Sequence, residues 1–261
     1  MIGVGVVGAV ILMAVFASLL SPYDPNKPDY AATLGAPGKA HWVGTDELGR
    51  DILSRIIWGA RASLLVGMIS VGGALLAGSL IGLVAGYLGG IADSVLMRAM
   101  DVIFAFPSIL LALAITATLG PSLANAMIAI AIVYVPVFAR LARGQVLLIR
   151  ELAYIEASRA LGKRVRGILM HDVVPNIMGP LVIQGSLLFA SAIITESYLS
   201  FLGLGIQPPA PSWGSMLKTA IGYLGQAPWM AWFPGLAIFS AVLGFNVLGD
   251  GLRDILDPRK G

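Results

Sequence analysis

Side chains able to do chemistry are scarce in this chain. It has two histidines, His41 and His171, far apart in sequence, and no cysteine. A zinc site or a histidine-based triad needs several such groups close together, so neither has material here. A disulfide framework is likewise excluded. Gly3, Gly5 and Gly8 match the letters of a dinucleotide-binding fingerprint. That motif works only between a strand and a helix, and these glycines lie inside an apolar run. No GxxxxGK[ST] loop, HExxH or GxSxG sequence occurs, so neither ATP binding through a P-loop nor hydrolytic catalysis is expected of this chain.

The most organised stretch is ELAYIEASRALGKRVRGILMHDVVPN, residues 151–176. Leu152, Ile155, Ala160 and Leu161 form a short apolar stripe on a first helix. Gly162 is free to take a left-handed conformation and end it. Val165, Ile168, Leu169 and Val173 then recur at i, i+3, i+4, i+8, and Pro175 is expected to stop this second helix. Across the whole stretch between runs four and five, Arg143, Arg150, Arg159, Lys163, Arg164 and Arg166 outnumber Glu151, Glu156 and Asp172. A charge run alone describes a solvated basic loop; two regular apolar stripes with no predicted partner favour docking onto another protein.

Glu196 is the other titratable group singled out, at the end of an apolar run. A carboxylate in hydrocarbon costs roughly 3 kcal/mol or more unless it meets water or a partner. It is therefore either a polar point on a translocation path or a helix end or buried pair. Gln184 and Asn246, inside apolar runs, are interhelical hydrogen-bonding candidates first and path residues second.

The elements that must position these groups follow from composition. Of 261 residues, 57% are hydrophobic and 12% charged, with mean hydropathy +0.87. One water-soluble core cannot hide that much apolar surface, and the class is an all-α polytopic membrane protein. A spanning helix needs about 20 mostly apolar residues, and six runs qualify: about 2–20, 62–86, 102–119, 123–140, 177–195 and 229–249. They are continuous rather than alternating, which argues against a barrel. The first run has no basic residue ahead of it and reads as a retained helix, not a signal peptide. The net charge of +3 fits basic loops inside the cell better than nucleic-acid binding.

Orientation follows the basic residues: the loop at 143–176, with Arg253, Arg259 and Lys260 after the last run, places both termini in the cytoplasm and residues 21–61 outside, against a competing signal from Lys27, Lys39, Arg50, Arg55 and Arg61 in that outer segment. In that outer segment Leu48, Ile52, Leu53, Ile56 and Ile57 lie on one side, with Glu47, Arg50, Asp51 and Arg55 on the other. With Thr45 as N-cap and Trp58 at a headgroup boundary, this describes an amphipathic helix in the outer interface. A helix packed on its own loop fits the periodicity equally. Gly78, Gly82, Gly86 and Gly90, each four apart, make a close-packing face against another span or a partner subunit. Pro107 and Pro136 fall within runs three and four as tolerated kinks.

EASRALG (Glu156 to Gly162), followed by Pro175 and Asn176, resembles the EAA loop of ABC-importer permeases. HWVGTDELGRDILSRIIWGARASLLVG (His41 to Gly67), MRAMD (Met97 to Asp101), SFLGLGIQPPAPSWGSML (Ser200 to Leu217) and FNVLGDGLRDILDPR (Phe245 to Arg259) agree with it. Together they resemble the C-type permease of the dipeptide, oligopeptide and nickel importers, over nearly the whole chain. Ser158 stands where the motif has its second alanine, and the basic leader usual in the family is absent.

The resemblance implies a type I ABC-importer permease fold of six transmembrane helices. It divides into residues 1–61, the first helix with its external segment, and 62–261, a five-helix core with its loop at about 144–176. It implies coupling to an ATPase through Glu156, Ala157, Ser158, Arg159, Leu161, Gly162 and Pro175. Further implied are a second permease, two ATPase subunits that bind ATP and Mg, and an extracytoplasmic substrate-binding protein. No cofactor is expected in this chain, which is non-catalytic and resides in a bacterial or archaeal inner membrane. Peptides are the expected solute; nickel and glutathione importers share the motifs. A secondary transporter or channel would place ionisable residues at mid-membrane, and an intramembrane enzyme would need paired catalytic groups there; these runs carry neither.

Overall fold

In the computed structural model, which describes residues 2–256, the chain is helical. The helices are α1 (Ile2–Val15), α2 (Ala17–Leu20), α3 (Ile52–Val66), α4 (Gly72–Leu88), α5 (Gly90–Phe104), α6 (Ser108–Leu119), α7 (Leu123–Ile149), α8 (Ala153–Ala160), α9 (Val165–Gly167), α10 (Val174–Phe201), α11 (Trp213–Ala220) and α12 (Trp229–Leu256). Among the described residues, β pairing is limited to one bridge between Thr45 and Asp51. Arg259, Lys260 and the end of the Phe245–Arg259 motif lie outside the described residues.

Among the described residues, four helical runs are long and apolar enough to cross a membrane: Ile52–Leu88, Leu123–Ile149, Val165–Phe201 and Trp229–Ile255. The pair α5 and α6 passes together as a broken span, its two axes 87° apart, and Gly3–Val15 is a shorter apolar helix. The third predicted run is thus corrected. Pro107 does not kink a helix over 102–119; α5 stops at Phe104 and α6 restarts at Ser108. Proline has no N–H to continue the ladder and pushes the residue before it out of the helical region.

The segment expected outside, residues 21–61, also differs from expectation. Helix α3 begins at Ile52, capped by Asp51, whose Oδ2 accepts from the Ser54 N–H at 2.8 Å. Thr45 instead accepts from the Gly35 N–H at 2.7 Å and donates to the Ala32 carbonyl. Arg50 and Arg55, expected on a wet face, are 8% and 5% exposed. Asp46 holds both, Arg50 at 2.7 Å and Arg55 at 3.5 Å, Glu47 adds 2.8 Å to Arg50, and Arg55 donates to the Pro25 carbonyl at 2.8 Å. Burial, with Asp46 beside it, pushes the Glu47 carboxyl above its ordinary value. The helix therefore packs on its own loop, because residues 21–51 fold over the polar side that periodicity alone assigns to water.

From there α3 runs through a π turn at Gly67–Val71 straight into α4. At 1.5 Å per residue its 37 residues extend about 55 Å, well beyond the roughly 30 Å hydrocarbon core. A boundary at 61/62 falls inside this helix, and α1 shares a core with α3, α11 and α12.

Two cores meet along α10. One joins α4, α6, α7 and the cytoplasm-assigned hairpin; the other joins α1, α3, α11 and α12. The glycine stripe lies inside the first, against α7 of the same chain. A Cβ at Gly78 would sit 2.5 Å from the Val135 carbonyl oxygen, one at Gly82 would overlap the Ala139 carbonyl, and one at Gly86 would lie 2.9 Å from Val146 Cβ. These absent side chains let two backbones approach and gain dispersion contacts, the attraction left when water is gone. Gly90 is off this face; it opens α5 with φ +56°.

Candidate functional site

The 150–176 segment folds as two short helical pieces around a glycine turn. Leu161 closes α8, and Gly162 follows with φ +72°, its N–H donating to the Arg159 carbonyl at 2.9 Å. Lys163 N–H returns to the Ser158 carbonyl at 3.1 Å, so the turn satisfies carbonyls that the helix end would leave open. Lys163 then reaches across the hairpin to Asp172, at 2.8 and 2.7 Å to its two oxygens.

One side of each stripe holds the hairpin to the spans. Ile155, Ile168 and Val173 are fully enclosed in the core with Val146 and Ile149 of α7. The expectation that these stripes have nothing within the chain to pack on is therefore corrected: Ile155 of the first stripe and Ile168, Leu169 and Val173 of the second pack internally. The remaining stripe positions face outward. Leu161 is 87% exposed, Leu152 and Val165 about half, and Glu156, Ala157, Arg159 and Ala160 are exposed beside them. Ser158 is half-buried.

Three helix ends brace this projection. Arg159 stacks over Tyr87 near the end of α4, 5.4 Å from the ring centroid. Arg150, leaving α7, donates to the Gly86 carbonyl at 2.9 Å. Tyr154 and Asn176 meet at 3.4 Å, and Asn176 also donates to the Asp172 carbonyl at 2.7 Å. Pro175 does not stop a helix; it sits in the first turn of α10, preceded by a π turn at Ile168–Val173. Proline is tolerated at a first helical turn, so the second hairpin helix and α10 form one run, Val165–Phe201. Movement at the tip is thereby tied directly to a membrane helix.

A little further into the bundle, Arg143 of α7 grips Asp93 of α5 with two bonds, Nε at 2.5 Å and Nη2 at 2.6 Å. Arg140 pairs with Asp101 at 2.8 Å and stacks over Phe104 at 4.1 Å. Sequence reasoning missed these ties; the signal available was two arginines three apart on α7 facing two acids in a predicted inter-span stretch.

The remaining candidates are dispersed. Glu196 is fully buried within α10, where its Oε1 accepts from Ser200 Oγ at 2.6 Å, and that oxygen accepts from the Ile206 N–H at 3.2 Å. It fastens the chain leaving α10. Gln184 on α10 and Asn246 on α12 are half-buried on helices that pack together. None of the three lines a cleft of about 630 Å³ that lies where α5 and α6 part and is walled by α7 and α10.

Residues 78–261 match the family described as the binding-protein-dependent transport system inner membrane component, and residues 1–37 match the N-terminal TM domain of oligopeptide transport permease C. The chain is 48% identical over 258 residues to a dipeptide transport system permease protein, DppC, of Alkalihalophilus pseudofirmus, covering 99% of this chain and 85% of that one. It is 48% identical over 250 residues to the glutathione transport system permease protein GsiD of Pectobacterium atrosepticum, covering 95% and 83%. It is also 44% identical over 251 residues to a probable D,D-dipeptide transport system permease protein, DdpC, of Escherichia coli, covering 96% and 84%. A chain of an inward-facing MetNI methionine ABC transporter superposes with TM-score 0.64 at 17% identity, covering 78% of this chain and 97% of that one. The all-helical architecture is that of type I ABC-importer permeases, and the chain belongs to the binding-protein-dependent transport system inner membrane component family.

Proposed function

We propose that this chain is one of two permease subunits of an ATP-driven importer of short peptides. It crosses the inner membrane six times, with α1–α2 as the first crossing and the α5–α6 pair as the third. Both termini and the 150–176 hairpin are cytoplasmic. Its partners are a homologous permease, two ATPase subunits that bind ATP and Mg, and an extracytoplasmic binding protein that supplies most of the selectivity. Relatives named for dipeptides and glutathione support a peptide solute; nickel is the outlying alternative. The observation that carries this reading is an outward apolar tip, Leu161 beside Ala157 and Ala160, on a hairpin continuous with α10 and braced to α4 and α7. Such a projection transmits force between two packed arrangements of the spans, with Glu156, Ala157, Ser158, Arg159 and Leu161 at the contact and Gly162 and Pro175 shaping it.

The test is reconstitution in proteoliposomes. The permease pair with its ATPases and binding protein takes up radiolabelled dialanine only with ATP, and glutathione is offered as competitor. Uptake by this chain without ATPase subunits would refute the proposal in favour of a secondary transporter.

A further inference from the structure

The parting of α5 and α6 leaves Ala105–Pro107 outside any helix. This break lies about halfway along α7, because Tyr134 and Val137 wall the same cleft. Non-helical backbone at membrane depth is tolerated only where protein covers it or water fills a cavity beside it. Among the described residues nothing covers it: Phe104 beside the break and Phe106 within it stand half exposed. This face is therefore not turned to lipid.

The walls add a second observation. Ser108, Tyr134, Ser191 and Thr195 bring hydroxyls to an otherwise apolar surface, and no charged side chain lines it among the described residues. Thr195 Oγ1 donates to the Ser191 carbonyl at 2.9 Å, which leaves its oxygen to accept from the Tyr134 hydroxyl at 3.2 Å. The Tyr134 oxygen keeps its acceptor capacity for a guest. Glu196, one residue on, is turned about 100° around α10 and is enclosed against Ser200. The cleft holds about 630 Å³, within the range of about 300–1,000 Å³ typical of small-molecule sites.

We propose that this cleft is the chain's half of the solute path, closed by the facing permease, and that the Tyr134–Thr195 pair with Ser108 and Ser191 forms its polar contacts for a transiting short peptide. The assignment rests on the chain being a permease subunit and replaces Glu196, Gln184 and Asn246 as path residues. Neutral hydroxyls offer a peptide backbone hydrogen bonds while remaining too weak to trap it, as passage requires.

The absence of native cysteine makes the test direct. Ser191→Cys and Thr195→Cys are introduced singly, with Ser108→Cys as a third site on a different helix. Each assembled transporter in vesicles is treated with the membrane-impermeant reagent MTSET, and modification of this chain is read by mass spectrometry. Leu76→Cys and Leu236→Cys, on exposed apolar faces of α4 and α12, are the comparison. The cleft positions should react roughly tenfold or more faster, because a thiolate forms only where water reaches it. Their rates should also change between nucleotide-free and vanadate-trapped states. Vesicles that import dialanine with ATP while all three cleft cysteines react as slowly as Leu76→Cys would overturn the cleft alone; failure of ATP-driven import in the native complex would overturn the permease reading beneath it.

Discussion

Replacing Gly162 separates a structural turn from mere proximity to a partner. Its φ of +72° lies in the left-handed region, and a Cβ built there meets nothing within 4 Å. Steric collision is therefore not the issue, and the whole effect comes from the backbone. An L-residue with a Cβ costs about 1–2 kcal/mol in this conformation, a factor of roughly 5–30 in the population of the folded tip. Asn tolerates the region better than Ala, and a β-branched residue tolerates it worst. ATP-driven uptake by the reconstituted complex should fall in the order Gly, Asn, Ala, Val, with Ala reduced by roughly 5–30-fold when the tip conformation limits coupling. Membrane insertion and the amount of assembled complex should stay constant. Native uptake in Gly162→Val, or equal losses in Asn and Ala, would refute the reasoning, since neither follows from a positive-φ requirement.

Gly82→Ala should destabilise the purified complex by about 1–3 kcal/mol, because the new methyl meets the Ala139 backbone, which cannot rotate away. Gly73→Ala, with its nearest neighbour at 3.9 Å, should be neutral, and thermal unfolding in detergent compares them. Asp93→Ala should loosen α5 from α7 and cost about 1–2 kcal/mol through the lost two-point contact to Arg143. The charge swap Asp93→Arg with Arg143→Asp should recover part of that loss in the same melts. Trp213→Phe should lower thermal stability by about 1–3 kcal/mol, since it leaves the Ile56 carbonyl without its 3.0 Å partner where Trp213 is buried.

Much of this fold is legible from the chain because lipid imposes a simple demand. A span must be continuous, apolar and internally hydrogen-bonded, so the runs that became α4, α7, α10 and α12 announce themselves. Gly162 is legible for the same kind of reason: an apolar stripe ends beside the one residue free to turn the chain. The missed features depend on what a distant segment covers. Arg50 and Arg55 have the spacing of a wet helix face, and only the folding of residues 21–51 over them makes that face interior. Ile155, Ile168 and Val173 likewise look available to a partner until α7 closes on them. Pro107 and Pro175 are ambiguous locally. A proline in an apolar run marks a kink, a break or a first turn, and neighbouring packing decides which. The Tyr134–Thr195 pair brings together two inconspicuous positions on separate helices, and no local pattern flags it.

The central claim, that the hairpin is gripped by an ATPase, is tested most directly at its most exposed large apolar residue. Leu161→Cys, in a chain with no other cysteine, is treated with a short bifunctional maleimide in the assembled transporter, and the products are identified by mass spectrometry. The expected result is a cross-link from position 161 to an ATPase subunit, altered by ATP and absent when the ATPases are omitted. A cross-link only to the extracytoplasmic binding protein, or labelling of Leu161→Cys only from the outer side of sealed vesicles, would contradict it.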